Sequence, residues 1–365
     1  MDAEFLAEDF EGEHSGAVVA YDDGVPFAYL TYAFSWKQFR PAVGPLSLGR
    51  LPVRQLRIFG LVGVRTIPDN LLDRFFELLL NQRGWHIGNI LEVSPDDPLV
   101  RRLGSAQKRP RYRMIRKDVP TVQVKLDDTF ESYLKKRFTK KARYNLRREV
   151  RLLDEAVAGD VEIKIYHSPA DVEQFMRDAG SIARLTYQWK IGMNALRVTP
   201  QAVKKTSYLA AVGRWRSYIL YIRGVPAAYC YATIRHGELS YDVVGYDPQF
   251  AKLNPGKVLL FKILEELHQS RIVDALDFGR GLADYKLLFA NGTRPVVDLS
   301  LFPYNTYSQF LWLLAGATEV GYHCLHPLFR HWMPWIKRIV QRTLGVMFPT
   351  FIDETEIFFQ LIILN

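Results

Sequence analysis

One short phrase constrains this chain more than any other, because it is written twice. Gly24-Val25-Pro26-Phe27-Ala28-Tyr29 and Gly224-Val225-Pro226-Ala227-Ala228-Tyr229 share G-V-P-x-A-Y at a separation of 200 residues. Each copy joins two apolar, β-like runs, Ala17–Tyr21 to Phe27–Tyr32 and Tyr218–Ile222 to Ala227–Ile234. Gly and Pro in a short polar link between such runs read as a hairpin turn. The elements downstream repeat as well. Helical patterns over Asn70–Gln82 and Gly256–Ser270 are followed by strand-like runs over Ile87–Val93 and Ala275–Phe278. A matching order of elements around a matching phrase points to duplication.

The expected division is a first α+β domain over 1–125, a connector over 126–155, a second domain over 156–305 and a helical extension over 306–365. The connector contains no Gly or Pro between Asp127 and Glu155, so it is read as one long helix or a helical hairpin. Phe130, Tyr133, Leu134, Phe138, Ala142, Leu146, Val150 and Leu153 recur mostly three or four apart and mark one buried stripe. The other faces are basic. Between Arg101 and Arg151 there are 18 Lys/Arg against 5 Asp/Glu, a local net of +13 in a chain whose overall charge is +9. Such a concentration suits an anionic partner: a phosphate-bearing cofactor, nucleic acid or a membrane surface.

Composition excludes several classes. With 365 residues, 48% of them hydrophobic, the chain can bury a core and is neither disordered nor collagen-like. Two cysteines, Cys230 and Cys324, rule out a disulfide framework. The acidic start MDAEFLAEDFEGEH does not read as a signal peptide. No apolar run reaches the roughly 18–20 residues of a membrane span, and the expectation is a cytoplasmic protein. After residue 305, Trp332, Trp335 and other apolar residues alternate with Arg330, Lys337, Arg338 and Arg342. Packing is the default reading there, with peripheral contact at the inner membrane face as the alternative. His323, Cys324, His326 and His331 lack a second matched ligand pair, so no metal is expected.

Two places carry chemistry. After the strand Leu239–Tyr246, the stretch Asp247–Lys257 ends in Lys252-Leu253-Asn254-Pro255-Gly256-Lys257 and opens into the helix. A helix start presents backbone N–H groups and the positive end of the helix dipole, which together bind phosphate. Lys252, Asn254, Gly256 and Lys257 are therefore the candidate cofactor residues. The later strand then runs into Asp277-Phe278-Gly279-Arg280-Gly281-Leu282-Ala283-Asp284-Tyr285-Lys286.

The ordered set G-V-P-A-A-Y, G-Y-D-P…N-P-G and D-F-G-R-G…Y-K resembles the CelD-like branch of the GNAT acyltransferases, which is related to the FemAB peptidyltransferases. The basic run Lys141-Ala142-Arg143-Tyr144-Asn145-Leu146-Arg147-Arg148 resembles the Arg-rich helix ahead of the catalytic domain in that branch. The resemblance covers about 125–300. It implies an α+β fold of two tandem GNAT-like domains, mixed sheets flanked by helices, with acetyl-CoA or another acyl-CoA as co-substrate and no metal.

The resemblance also implies that the thioester enters where two parallel strands splay, beside a backbone N–H of the preceding strand. That strand is expected to be Tyr229–Ile234. Candidate catalytic residues are Asp242 and Asp277 as bases, Tyr285 as the acid for the leaving thiolate, and Lys286. Arg143, Arg147 and Arg280 are candidates for holding the substrate. The loop departs from the common R/Q-x-x-G-x-G/A pattern. The first copy has Thr66-Ile67-Pro68-Asp69-Asn70 at the matching place, so only the second domain is expected to bind cofactor, while the first shapes the acceptor cleft.

The expected function is acyl-CoA-dependent N-acyl transfer, acetyl first, to a small amine or amino sugar, in polysaccharide or lipid assembly, without a nucleic-acid partner. A FemAB-like transfer from aminoacyl-tRNA is one alternative; a non-catalytic or membrane-associated scaffold is another.

Overall fold

The computed structural model describes residues 15–22, 25–43, 46–63, 69–80, 84–105, 112–186, 189, 195–235, 237–281 and 283–321. The chain divides into two compact units, residues 1–119 with 295–365, and residues 120–294.

The first unit opens with β1 (Ser15–Asp22) and β2 (Val25–Phe39), followed by the short hairpin β3 (Ala42–Val43) and β4 (Leu46–Ser47). Next come β5 (Leu51–Gly63), α1 (Asp69–Leu80), β6 (Ile87–Val93) and α2 (Pro98–Ser105). The strand β7 (Tyr112–Lys125) begins in this unit and ends in the second.

The second unit continues with α3 (Phe130–Arg137), α4 (Lys140–Ala156), β8 (Val161–Tyr166), α5 (Val172–Leu185) and α6 (Pro200–Ala211). Then follow β9 (Ser217–Ile222), β10 (Val225–Arg235), β11 (Glu238–Tyr246), α7 (Pro255–Ser270), β12 (Ala275–Arg280) and α8 (Asp284–Phe289). The strand β13 (Gly292–Pro303) returns the chain to the first unit, where residues 306–321 are helical.

The two units repeat one topology down to its irregularities. In each, three antiparallel strands (β1-β2-β5; β9-β10-β11) lead through a helix to a strand parallel to the third. In β2 the bulge skips Phe27, between the pairs Ala20↔Ala28 and Tyr21↔Pro26. In β10 it skips Ala227, between Leu220↔Ala228 and Tyr221↔Pro226. The 200-residue offset of the sequence phrase thus holds in the backbone register. Each sheet then adds an antiparallel strand from outside its own run of sequence. β6 receives the β13 residues Val297–Leu301, and β12 receives the β7 residues Thr121–Lys125.

In the second unit the sheet buries both faces, with side chains alternating as strand geometry requires. Ala228, Cys230 and Ala232 of β10 face Val258, Leu260, Ile263 and Leu264 of α7. Tyr229, and the partly buried Tyr231, face Phe175, Met176 and Ala179 of α5. Small residues on the α7 side leave room for the helix to pack closely. The connector's apolar stripe joins that same core through Phe130, Tyr133, Leu134, Phe138, Leu146 and Leu153.

The connector is a helical hairpin, broken at Phe138, which is buried in an extended conformation. Thr129 and Thr139 cap the two helices by accepting from Ser132 N–H and Ala142 N–H. Because its stripe packs on α7, the connector falls inside the second unit, whereas a separate segment over 126–155 was expected. Likewise residues 295–303 fall in the first unit, because Val297–Leu301 pair with β6.

Candidate active site

The parallel pair β11/β12 is short. Glu238, Leu239 and Ser240 pair with Ala275, Leu276 and Asp277. Beyond that point β11 runs on to Tyr246 along β10, while β12 runs on to Arg280 along β7. The strands part just where β11 carries a bulge. Tyr231 pairs with Val243 and Ala232 with Tyr241, so Asp242 is the extra residue. A bulge unpairs its extra residue and turns the strand.

The strand expected to lie beside the thioester, Tyr229–Ile234 in β10, is not a neighbour of β12; the parallel neighbour of β12 is β11. Nothing in the apolar pattern distinguishes two successive antiparallel strands in this respect; the pairing decides it.

Asp242 accepts a hydrogen bond from Thr233 Oγ at 2.6 Å, and its Oδ1 lies 3.7 Å from an Arg235 guanidinium nitrogen. Asp277, also a candidate base, is differently placed. One oxygen takes a 2.7 Å ion pair from Arg294 and the other accepts Gly279 N–H at 2.8 Å. Arg294 also holds Glu238 at 3.0 Å, so it ties the ends of β11 and β12 together. Both Asp277 carboxylate oxygens are thus engaged, by Arg294 and by Gly279 N–H.

Tyr285, at the start of α8, stands edge-on to Phe278 with ring centroids 6.1 Å apart, and Phe278 stands edge-on to Tyr241 at 5.5 Å. Although 38% of the residue is exposed, desolvation, with a contribution from nearby Cys230, pushes the Tyr285 hydroxyl up to about 12, so it keeps its proton at neutral pH. Lys286 donates to the carbonyls of Phe278 and Arg280 at 2.8 and 2.6 Å. Its ammonium closes the turn after β12, which the sequence could not disclose. Arg280 is exposed at the end of that strand.

The loop from β11 to α7 is held by its own backbone. Asp247 caps the 3-10 turn Pro248–Leu253, accepting Gln249 N–H at 2.9 Å. Asn254 adopts a left-handed conformation (φ 49°), and Pro255 occupies the first helical position. A proline there gives up an N–H that has no helical partner. A Cβ on Gly256 would meet nothing closer than Tyr246 Cδ1 at 3.7 Å, so the helix start is sterically open. Lys252 is exposed. Lys257 is engaged: its ammonium lies 2.8 Å from Glu149 of α4.

Gly245 precedes this loop under tighter constraint. A Cβ there would come within 2.6 Å of Tyr229 Cε1 and 2.8 Å of Thr186 Cγ2. The end of β11 therefore packs directly against the C-terminus of α5. Sequence reading passed over Thr233, Arg235 and Glu149 as site residues; Gly245 stands in the G-Y-D-P motif, where only the packing shows why a glycine is needed.

Arg143 and Arg147 do not join the splay residues. They lie on an exposed stripe of α4 with Lys140, Tyr144 and Arg151, lining a cavity of about 520 Å³. Arg143 donates to the Phe138 carbonyl at 2.7 Å and Arg147 pairs with Glu131. Glu149, two positions after Arg147, points to the opposing helix face at roughly 100° per residue.

Residues 140–287 match the family described as acetyltransferase (GNAT) domain. That segment is a GNAT domain. It spans α4 through the first turn of α8, and so contains the bulge, the loop and the splay. Among solved structures the chain is similar to FemX, at 10% identity and TM-score 0.54, covering 86% of this chain and 92% of that one. The C-terminal domain of a protein assigned as lysylphosphatidylglycerol synthetase from Agrobacterium fabrum has TM-score 0.53 at 14% identity, covering 82% of this chain and 87% of that one. A conserved protein of unknown function from Bacteroides thetaiotaomicron has TM-score 0.50 at 13% identity, covering 79% and 86%. At these identities the likeness is one of fold. No curated protein matches the chain in sequence.

The chain is an N-acyltransferase, on the strength of its GNAT domain. Among the described residues no helix is long and apolar enough to cross a membrane. The residues His323, Cys324, His326 and His331, and the extension beyond 321, lie outside the described residues.

Proposed function

We propose that the second unit transfers an acyl group from a CoA thioester to an amine. The observation that carries this reading is the parting of β11 from β12 at the Asp242 bulge, on a strand that leads straight into the open helix start at Gly256. A pyrophosphate meets backbone N–H groups and the dipole at α7, with Lys252 at the rim and Asn254 fixing the turn. The acyl arm then extends back along β11 into the splay.

In the transfer, the amine nitrogen attacks the thioester carbonyl and a C–N bond forms. A backbone N–H of β11 at the bulge receives the oxyanion. Asp242 accepts the proton lost by the amine. Collapse of the intermediate breaks the C–S bond, and Tyr285 gives its proton to the leaving thiolate. Asp277, Lys286 and Arg294 keep the ends of β11 and β12 in place.

In this reading only the second unit takes the cofactor, the first being a second copy of the fold. The acceptors we favour are a small amine or an amino sugar. An aminolipid precursor joins the panel through the lysylphosphatidylglycerol synthetase likeness, and exposed Phe310, Leu313 and Val320 suit peripheral contact with lipid. A second reading, transfer from aminoacyl-tRNA, draws on the exposed basic stripe of α4, with Lys140, Arg147 and Arg151, and on the FemX likeness.

The test is a thermal-shift titration with CoA, acetyl-CoA, longer acyl-CoAs and bulk tRNA, on wild type and Gly256→Glu. We expect saturable stabilisation by CoA species and its loss in the variant, with KM for acyl-CoA raised at least roughly tenfold. Equal CoA binding by a folded variant removes the loop from the mechanism. A salt-sensitive response to tRNA alone favours the second reading.

A further inference from the structure

The Lys257–Glu149 pair sits at the first turn of α7, where the proposed cofactor loop ends. Lys257 Nζ lies 2.8 Å from Glu149 Oε1, with both side chains only partly exposed, at 34% and 26%. The second carboxylate oxygen, Oε2, is buried and has no hydrogen-bond partner. A buried acceptor left unpaired is costly. Its neighbour, the Lys257 ammonium, extends from the first turn of α7, so the carboxylate holds the same cation that a phosphate at that helix start would draw on.

We infer that Glu149 is a built-in competitor for the anion loop, holding Lys257 until a phosphate-bearing ligand takes the ammonium from it. The inference rests on the CoA reading for the identity of the natural ligand, but the exchange itself is a property of any pyrophosphate at α7. Glu149 sits on α4, whose Leu146 and Leu153 are fixed in the α7 core. The carboxylate is therefore anchored, while the four-carbon stem of Lys257 is free to swing. On binding, the ion pair opens and Lys257 turns to the phosphate. No proton or covalent bond is exchanged. Glu149 is thus a positioning residue that sets affinity and salt dependence without touching the reacting atoms.

The experiment is calorimetric titration of wild type, Glu149→Gln and Lys257→Met with CoA and with inorganic pyrophosphate, at low and high salt. Glu149→Gln removes the charge at nearly constant volume. Its Kd for both probes should fall roughly tenfold at low salt, and the gain should shrink at 1 M salt, where the Debye length is about 3 Å. In the Lys257→Met background, adding Glu149→Gln should recover much less.

Glu149→Ala is the second variant should the amide disturb packing; it suits a helix and removes the orphan oxygen. Folded Glu149 variants that bind CoA no more tightly than a CoA-binding wild type overturn this inference and leave the CoA reading standing. A wild type silent to CoA, beside a Glu149→Gln variant that binds only pyrophosphate, keeps the competitor and overturns the CoA reading. Silence from every protein toward both probes overturns both.

Discussion

The two copies of the fold share a bulge and differ in what they put on it. In the second unit the residue skipped between β10 and β11 is Asp242; in the first, the residue skipped between β2 and β5 is Phe59. Both bulges fall at the same step of the repeat, after Tyr231 and after Thr31, again 200 residues apart. Both follow a short parallel pairing, β5 with β6 through Ile58↔Ile90 and β11 with β12 through Ser240↔Asp277. Phe59 lies under the Arg57 guanidinium, 5.3 Å from ring centroid to cation, a packing contact. The following helices differ in the same sense. α7 opens with Pro255-Gly256-Lys257, whereas α1 opens with Asp69-Asn70. The backbone device is common to both units, and the side chains placed on it differ.

The largest effect that would break this comparison is at the bulge itself. Asp242→Asn should lower kcat for acyl transfer by about 10²–10⁴, the range of a lost general base, with KM for acyl-CoA little changed. Phe59→Leu should leave kcat unaltered and alter stability alone. Steady-state kinetics and thermal melts on the pair separate the two, and a Phe59 variant with impaired turnover would mean the first unit takes part in catalysis.

Tyr285→Phe should cost less, roughly tenfold in kcat, since water can replace one proton donor. Because burial holds the Tyr285 hydroxyl near 12, the wild-type rate should show no alkaline fall attributable to it below pH 10. A fall that the phenylalanine variant abolishes would place its ionisation lower and contradict the desolvation of the hydroxyl.

The smallest effect concerns stability. His268 of α7 is 4% exposed, donates from Nδ1 to the Leu264 carbonyl at 2.7 Å and packs against both Phe130 and Tyr133. Burial lowers its pKa, so the folded state favours the neutral ring. The unfolded chain takes up a proton as pH falls through about 6.5, while the folded chain does so only lower. Stability should therefore be full above that value and decline as pH drops toward the folded pKa. Melting curves between pH 7.5 and 5 should show this slope in wild type and a shallower one in His268→Gln. The same slope in both assigns the acid sensitivity elsewhere.

Much of the fold was legible because it follows local rules. The G-V-P-x-A-Y phrase marks both hairpins, and the apolar runs at Gly256–Ser270 and Asn70–Gln82 mark both crossover helices, within a few residues of their observed bounds. The connector's stripe was legible by periodicity, and its break at Phe138 was one of the two arrangements the sequence allowed. The strands β7 and β13 were not legible. Each completes a sheet from outside its own run, and only long-range pairing says which strand it will join.

The site divides in the same way. Residue types and spacing nominated Asp242, Tyr285 and the Asn254–Lys257 helix start. They could not separate Asp242 from Asp277, because an aspartate on a strand reads alike whether it sits at a bulge or is locked by an arginine. Nor could they show Lys286 spent on two carbonyls, or Lys257 held by Glu149 across 108 residues of sequence. The sequence by itself determined the duplication, the crossover helices and the glycine that leaves one helix start open, since these depend on backbone preference and apolar period. The tertiary structure decided which strand neighbours β12, where the sheet parts and which charges are already paired. Those depend on distances between residues far apart in the chain, and no local pattern records them.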